Sequence, residues 1–289
     1  MLDFLMRENL IKSLVKKKMK SKLQEKLNMD LMPVAILWSD QKPQGAVQFK
    51  PQARSCVMFL YAQTAKKGKI AVFDQQSYGC PGGGVGLGFG NCYLNFPGGI
   101  EVFCYFLSCG NLSWEKGKEF CQMLEGKIPE ELWQELAYGE RYIKSPELVQ
   151  DFIECLPIRQ IPARYVIFKP LEQVEPEKEE PVVVSFPVNP DQLSALVVMA
   201  NYSGRGVERV RIPMGAGCQQ VGIFAYQAGE AEEPYAVVGL TDLSARLNVR
   251  KILGKDILTF TVPWKMFLEM ESEVEGSFLE RTTWKRLQD

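Results

Sequence analysis

Histidine is absent from all 289 residues. That removes the commonest general base, the Ser-His and Cys-His activation schemes and most catalytic zinc sites. Any chemistry falls to thiols, carboxylates, lysine, tyrosine or a bound cofactor. No run approaches the roughly 18 to 20 apolar residues of a membrane helix. The opening MLDFLMRENLIKSLVKKK has neither the apolar core nor the cleavage site of a secretion signal, so the expectation is a cytoplasmic chain with no membrane span. Neither sign of charge dominates: 34 Lys and Arg against 35 Asp and Glu leave a net charge of -1, which offers no global field for nucleic acid.

Several familiar motifs are missing as well. There is no C-x-x-C, which excludes thioredoxin-like and zinc-ribbon chemistry. The glycine run between 79 and 90 fits G-x-G-x-x-G in no frame. The Gly-Lys pairs that begin at Gly68, Gly117, Gly126 and Gly254 lack the spacing and hydroxyl residue of a phosphate-binding P-loop. A dinucleotide fold and a nucleoside triphosphatase are therefore disfavoured.

What is present is a globular composition, 46% hydrophobic and 24% charged, sufficient for a sizeable core. Eight cysteines are too widely spread for the disulfide framework of a small secreted domain and are expected as reduced thiols. Residues 1–30 place leucines near helical spacing among lysines and read as an amphipathic helix lying on the body. Strands are expected at 33–38 (PVAILW), 69–73, 100–107 (IEVFCYFL) and 164–169, with a helix at 54–65 and a glycine-rich turn at 77–91. Ser145 and Pro146 cap and open a helix whose apolar face is Leu148, Val149, Phe152, Ile153 and Leu156. The Glu- and Pro-rich stretch 172–181 reads as a linker.

The order of signals before this linker recurs after it. PVVVSFPV at 181–188 parallels PVAILW, the helix expected at 190–202 behind Asn189 parallels 54–65, and MGAGCQQVGIFAY at 214–226 parallels the glycine-rich turn. Two diverged repeats follow, 31–157 and 164–275, with a tail at 276–289 and a longer helical insertion in the first. The expected fold class is α/β or α+β: one compact unit of β-α-β-(Gly/Cys turn)-α repeats related by a pseudo-twofold axis.

Cys56 near the start of a helix, GCPGGGVGLGF, RYIKSPEL, RYVIFKPLE and MGAGCQQVG together resemble the domain of unknown function 169 family, over roughly 30–275. The resemblance implies a cysteine-bearing protein of archaea and anaerobic bacteria. It draws attention to Cys56, Cys80 and Cys218 but supplies no reaction.

In a strand-turn-helix setting, backbone N–H groups of Gly82, Gly83 and Gly84 face a ligand, and a following helix adds its dipole and lowers a neighbouring thiol pKa. Cys80 and Cys218 occupy matching places in the two repeats. A cleft lined by Cys80, Gly82, Gly83, Gly84, Gly217 and Cys218 is the candidate site for a small anionic molecule. Cys56, Cys80 and Cys218 are the candidate ligands of a metal ion or iron-sulfur cluster, which needs a fourth donor from elsewhere. A thiolate nucleophile is the enzymatic alternative. A packing role for the glycines and cysteines, or an interaction protein using the basic N-terminus, completes the set. Cys92, Cys104, Cys109, Cys121 and Cys155 are read as core residues, and Asp242 and Asn111 as helix caps. Arg141, Tyr142, Arg164 and Tyr165 are candidate donors to a carboxylate or phosphate.

Overall fold

The structure is a computed structural model that describes residue 19 and residues 21–51, 53–204 and 206–288. Most of the expected N-terminal helix lies outside the described residues; within them, Lys22–Lys26 (α1) is helical behind a Ser21 cap. The chain divides into two compact units, one of the described residues up to Leu87 and from Ile161 onward, the other Gly88–Gln160.

The first unit is built on a seven-stranded sheet in the order β2-β3-β1-β4-β7-β6-β5. Its strands are β1 (Val34–Ser39), β2 (Ala71–Phe73), β3 (Tyr165–Pro170), β4 (Val183–Val188), β5 (Val210–Arg211), β6 (Ala236–Gly239) and β7 (Leu258–Pro263). All named pairings are antiparallel except the short β5–β6 edge. β1 and β4 meet at the centre, with Val34 opposite Ser185 and Ile36 opposite Val183. An antiparallel sheet often leaves one face to water, with polar residues alternating outward. Here VAIL and VVSFPV are buried on both faces, so helices must cover both.

Strand periodicity sorts the two faces. Ala35, Leu37, Val184, Phe186, Phe260 and Val262 share a core with α1, α8 (Pro190–Ala200), α12 (Trp264–Ser272) and α13 (Thr282–Gln288). Each large apolar side chain fully buried there contributes about 1.5–3 kcal/mol. The opposite face carries α2 (Val57–Lys67), where the Tyr61 hydroxyl meets Ser185 Oγ at 2.9 Å and Thr261 Oγ1 donates to the same oxygen at 2.9 Å. α3 (Pro81–Leu87), α9 (Gly217–Val221), α10 (Ile223–Glu230) and α11 (Leu243–Leu253) complete this unit's helices.

Local signals explain several boundaries. Asn189 and Gln192 form a reciprocal capping box at α8, with bonds of 2.9 and 3.1 Å. The segment read as a linker joins β3 to β4 and is tied down by Lys169 Nζ, which donates to both Glu179 carboxylate oxygens. β5 is only two residues long, Val210–Arg211, within the stretch ERVRIPM that matches the strand at 69–73 in the order of the repeats.

The second unit is helical: α4 (Gly99–Leu107), α5 (Glu115–Leu124), α6 (Glu130–Tyr138) and α7 (Pro146–Cys155). The strand expected at 100–107 is therefore a helix. A short apolar run carries no decisive period, and here the i, i+3 spacing of Phe103 and Phe106 lets both rings join Tyr93 and Phe96 in one aromatic cluster. Ser145 caps α7 as the sequence implies. Asn111, fully buried, bonds the Val102 and Leu136 carbonyls and accepts from Trp114 Nε1, which makes it this unit's internal tie.

Candidate functional site

The glycine-rich stretch does not stay a turn. After a bend at Gly79, where φ is 79°, residues 81–87 form α3 despite four glycines, each costing up to about 1 kcal/mol relative to alanine in a helix. Close packing accounts for the choice. A Cβ on Gly86 would lie 2.7 Å from the Cys218 carbonyl carbon and the Gln219 nitrogen, and one on Gly222 would collide with the Gly86 carbonyl oxygen. The short helices α3 and α9 therefore cross backbone to backbone.

That crossing assembles the cysteines. The Cys80 N–H donates to the Ser55 carbonyl at 3.1 Å, which sets Cys80 beside the start of α2, where Cys56 is the residue before the first turn. Cys80 Sγ accepts the Gly83 N–H at 3.3 Å, standing where a serine or aspartate side chain would cap α3. Across the crossing, Cys218 Sγ donates to the Gly82 carbonyl at 3.2 Å. Gly217 completes the set: a Cβ there would lie 3.1 Å from Met58 Cγ and 3.2 Å from Asp242 Oδ2.

Asp242 caps α11, its Oδ1 accepting the Ala245 N–H at 2.7 Å, while Oδ2 takes the Gly217 N–H in a short hydrogen bond. One side chain thus serves the starts of two helices. The candidate residues Cys56, Cys80, Gly82, Gly83, Gly84, Gly217 and Cys218 all lie in this neighbourhood. Asp242 joins them, a residue that reads in sequence chiefly as a helix cap, with only its place after a strand as a signal.

Cys218 is buried, and Cys56, Cys80 and Asp242 are half-buried with little water around their titrating atoms. Burial, then the neighbouring Cys80, push the Cys56 thiol up to about 12, against the pull of the Met58 and Phe59 amides. Burial likewise raises Cys80, opposed by the amides of Gly83 and its neighbours, and raises Cys218 well above its ordinary value, with Cys80 and Cys56 adding to the effect. Asp242 is also raised by burial, although three backbone N–H groups favour its charged form. In each case the surroundings favour the neutral form. Among the described residues, no three Cys, Asp or Glu side chains stand arranged to share a metal ion as they are. Two surface hollows, of about 130 and 500 Å³, are lined by residues such as Asp30 and Gln192, or Ser21 and Glu172, and by none of these thiols.

Other candidates fall elsewhere. Cys92, Cys104 and Cys121 are buried, as expected of core thiols, but Cys109 and Cys155 are exposed. Cys109 follows the end of α4, and Cys155 lies off the Val149, Ile153, Leu156 stripe that α7 buries. Arg141 and Tyr142 are exposed, as is Arg164, whose guanidinium lies 5.1 Å from the Tyr165 ring centre.

The family model described as DUF169, Uncharacterised ArCR, matches residues 22–273. Neither a curated protein nor a solved structure matches the chain.

Proposed function

The chain belongs to the uncharacterised DUF169 family, and from the site's own geometry we propose that it is a metal-binding protein whose thiols Cys56, Cys80 and Cys218 hold a thiophilic ion or an iron-sulfur cluster. One observation carries this reading: the helix starts that bear Cys56, Cys80, Cys218 and Asp242, far apart in sequence, are tied to one another by the Cys80–Ser55, Cys218–Gly82 and Gly217–Asp242 hydrogen bonds. The surroundings raise the pKa of all four groups and so favour their neutral forms. A metal displaces their protons, supplies the missing positive charge and turns binding energy into folding energy. Thiolates select soft metals, and the amides that favour ionised Cys56 and Cys80 are already in place. Ligation requires the side chains to turn from their present hydrogen bonds toward a common centre.

The alternatives have less support. A small anion at Cys80, Gly82, Gly83, Gly84, Gly217 and Cys218 would compete with Cys80 Sγ for the Gly83 amide and with Asp242 for the Gly217 amide. A nucleophile must be a thiolate, and burial pushes all three thiols the other way. Cytoplasmic placement fits eight free cysteines. A two-repeat origin fits the sheet, since β1 and β4 pair at its centre with β3 flanking one and β7 the other; the first repeat would then carry the helical unit as its insertion.

The test is metal and acid-labile sulfide analysis of protein purified without oxygen. Stoichiometric zinc, or iron with sulfide, that is lost in Cys80→Ala and Cys218→Ala supports the proposal. Metal-free wild-type protein that takes up neither zinc nor iron and sulfide on reconstitution overturns it.

A further inference from the structure

Two of the three thiols belong to neighbouring stretches of backbone, tied by the Cys80–Ser55 hydrogen bond. We propose that Cys56 and Cys80 are a redox-active pair that closes to a disulfide, joining the start of α2 to the start of α3. The pairing does not rest on the metal reading above.

The backbone sets the distance. The Cys80 N–H donates to the Ser55 carbonyl at 3.1 Å, and across a trans peptide that oxygen lies on the same side as the Cys56 Cα. The two Cα atoms are thereby held within roughly 7 Å, and closer as the bond bends. A disulfide spans Cα separations up to about 6.8 Å. Gly79 permits the approach, because a Cβ there would collide with the Ser55 carbonyl oxygen. Cys80 Sγ lies 3.7 Å from the point a Gly83 Cβ would occupy, and Val57 Cγ2, on the residue after Cys56, lies 2.7 Å from the same point. The first turns of α2 and α3 therefore face each other there, and charge on Cys80 is felt at Cys56. Cys56 precedes α2 without a side-chain cap bond, so its sulfur turns toward Cys80 without breaking one.

The third thiol is kept out. Cys218 Sγ donates to the Gly82 carbonyl, and Cys80 Sγ accepts the Gly83 N–H. Those groups are the two ends of one trans peptide and point opposite ways. The Gly82–Gly83 peptide therefore stands between Cys80 and Cys218. Cys218 is also buried, whereas Cys56 and Cys80 are half-buried and within reach of a small oxidant.

The oxidant is a low-molecular-weight disulfide. One protein thiolate attacks it, forming a mixed disulfide and releasing one small thiol; the second protein thiolate attacks the protein sulfur of that bond and releases the other. Two protein thiols are oxidised, one small disulfide is reduced, and the two protein protons end on the released thiols. Surroundings that favour the neutral thiols make the attack slow. They also withhold the thiolate stabilisation that makes some dithiol pairs strong oxidants, so the bond is held firmly once formed. Joined to each other, the two sulfurs ligate no metal.

The experiment incubates chelator-treated wild type, Cys56→Ser and Cys218→Ser with oxidised glutathione under native conditions until exposed Cys109 and Cys155 are fully modified. Unreduced peptides are then mapped by mass spectrometry. The expected result is a Cys56–Cys80 linked peptide in wild type and in Cys218→Ser. The thermal midpoint of both should rise on oxidation, as a cross-link constrains the unfolded chain, and the rise should vanish in Cys56→Ser. A Cys80–Cys218 link overturns the proposal, as do Cys56 and Cys80 left unlinked, whether free or carrying glutathione, and a link that forms only in urea. Should a variant fail to fold, the wild-type map decides by itself. Zinc or iron uptake by the reduced protein tests the metal reading separately, so the failure of either leaves the other standing.

Discussion

Cys218 donates its thiol proton to the Gly82 carbonyl at 3.2 Å, so a side chain at the start of α9 is fastened to the backbone at the start of α3. The bond exists because the two helices approach without side chains between them, Gly86 lying against the Cys218 and Gly222 backbone. Site and packing are therefore one structure, and glycine at these positions is a geometric requirement.

The first prediction concerns that crossing. Gly86→Ala and Gly222→Ala each introduce a methyl group where backbone atoms already stand, and each is expected to cost about 1–3 kcal/mol or more by overpacking. Gly126→Ala, where nothing lies within 4 Å, bears only its positive-φ strain of about 1–2 kcal/mol. Urea unfolding of the three variants measures the difference; equal losses would mean that the helices separate readily.

Thiol reactivity should divide by burial. In metal-free protein at pH 8, exposed Cys109 and Cys155 are expected to alkylate first, with Cys56, Cys80 and Cys218 far slower because their raised pKa values leave little thiolate. Quantitative labelling by mass spectrometry checks the order. Fast labelling of Cys80 would restore the nucleophile reading.

The same shifts set a pH dependence. The folded Cys56 thiol holds its proton to about 12, whereas its ordinary value is 9.0. Between these values the unfolded chain binds fewer protons, so stability of the metal-free protein falls as pH rises, by up to about 1.4 kcal/mol per pH unit from this one thiol. Below that window the group contributes no slope. Metal-bound protein should show the reverse weakness and lose stability toward acid, where protons compete for the ligands. Chemical denaturation from pH 6 to 10.5 with and without zinc tests both signs.

Beneath α2, Ser185→Ala should cost more than Tyr61→Phe. The serine change orphans both the Tyr61 and Thr261 hydroxyls in a fully buried place, at about 1–3 kcal/mol for each group. The tyrosine change leaves Thr261 still bonded to Ser185. A reversed order in thermal unfolding would contradict this hydrogen-bond scheme.

Much of the fold was legible where local chemistry decides it. The caps at Ser145 and Asn189 act at single residues, and the twin runs VAILW and VVSFPV are apolar on both faces because both faces are covered. IEVFCYFL was not legible as a helix, since seven apolar residues around Glu101 satisfy either period until an aromatic cluster selects one. The glycine run hides a helix because its intrinsic propensity opposes one, and a distant segment, α9, supplies the packing that overrides it. The family resemblance, and for Cys80 and Cys218 their matching places in the two halves of the sequence, drew attention to Cys56, Cys80 and Cys218. Asp242 remained a cap among other caps, because its approach to Gly217 depends on where the sheet sets β6 and α11.

The most direct test of the metal centre is X-ray absorption at the zinc edge of zinc-loaded protein. The account predicts a shell of about three sulfurs near 2.3 Å, and loss of one sulfur in each of Cys56→Ser, Cys80→Ser and Cys218→Ser. A shell of oxygen and nitrogen alone, or a sulfur shell unchanged by these substitutions, would contradict it.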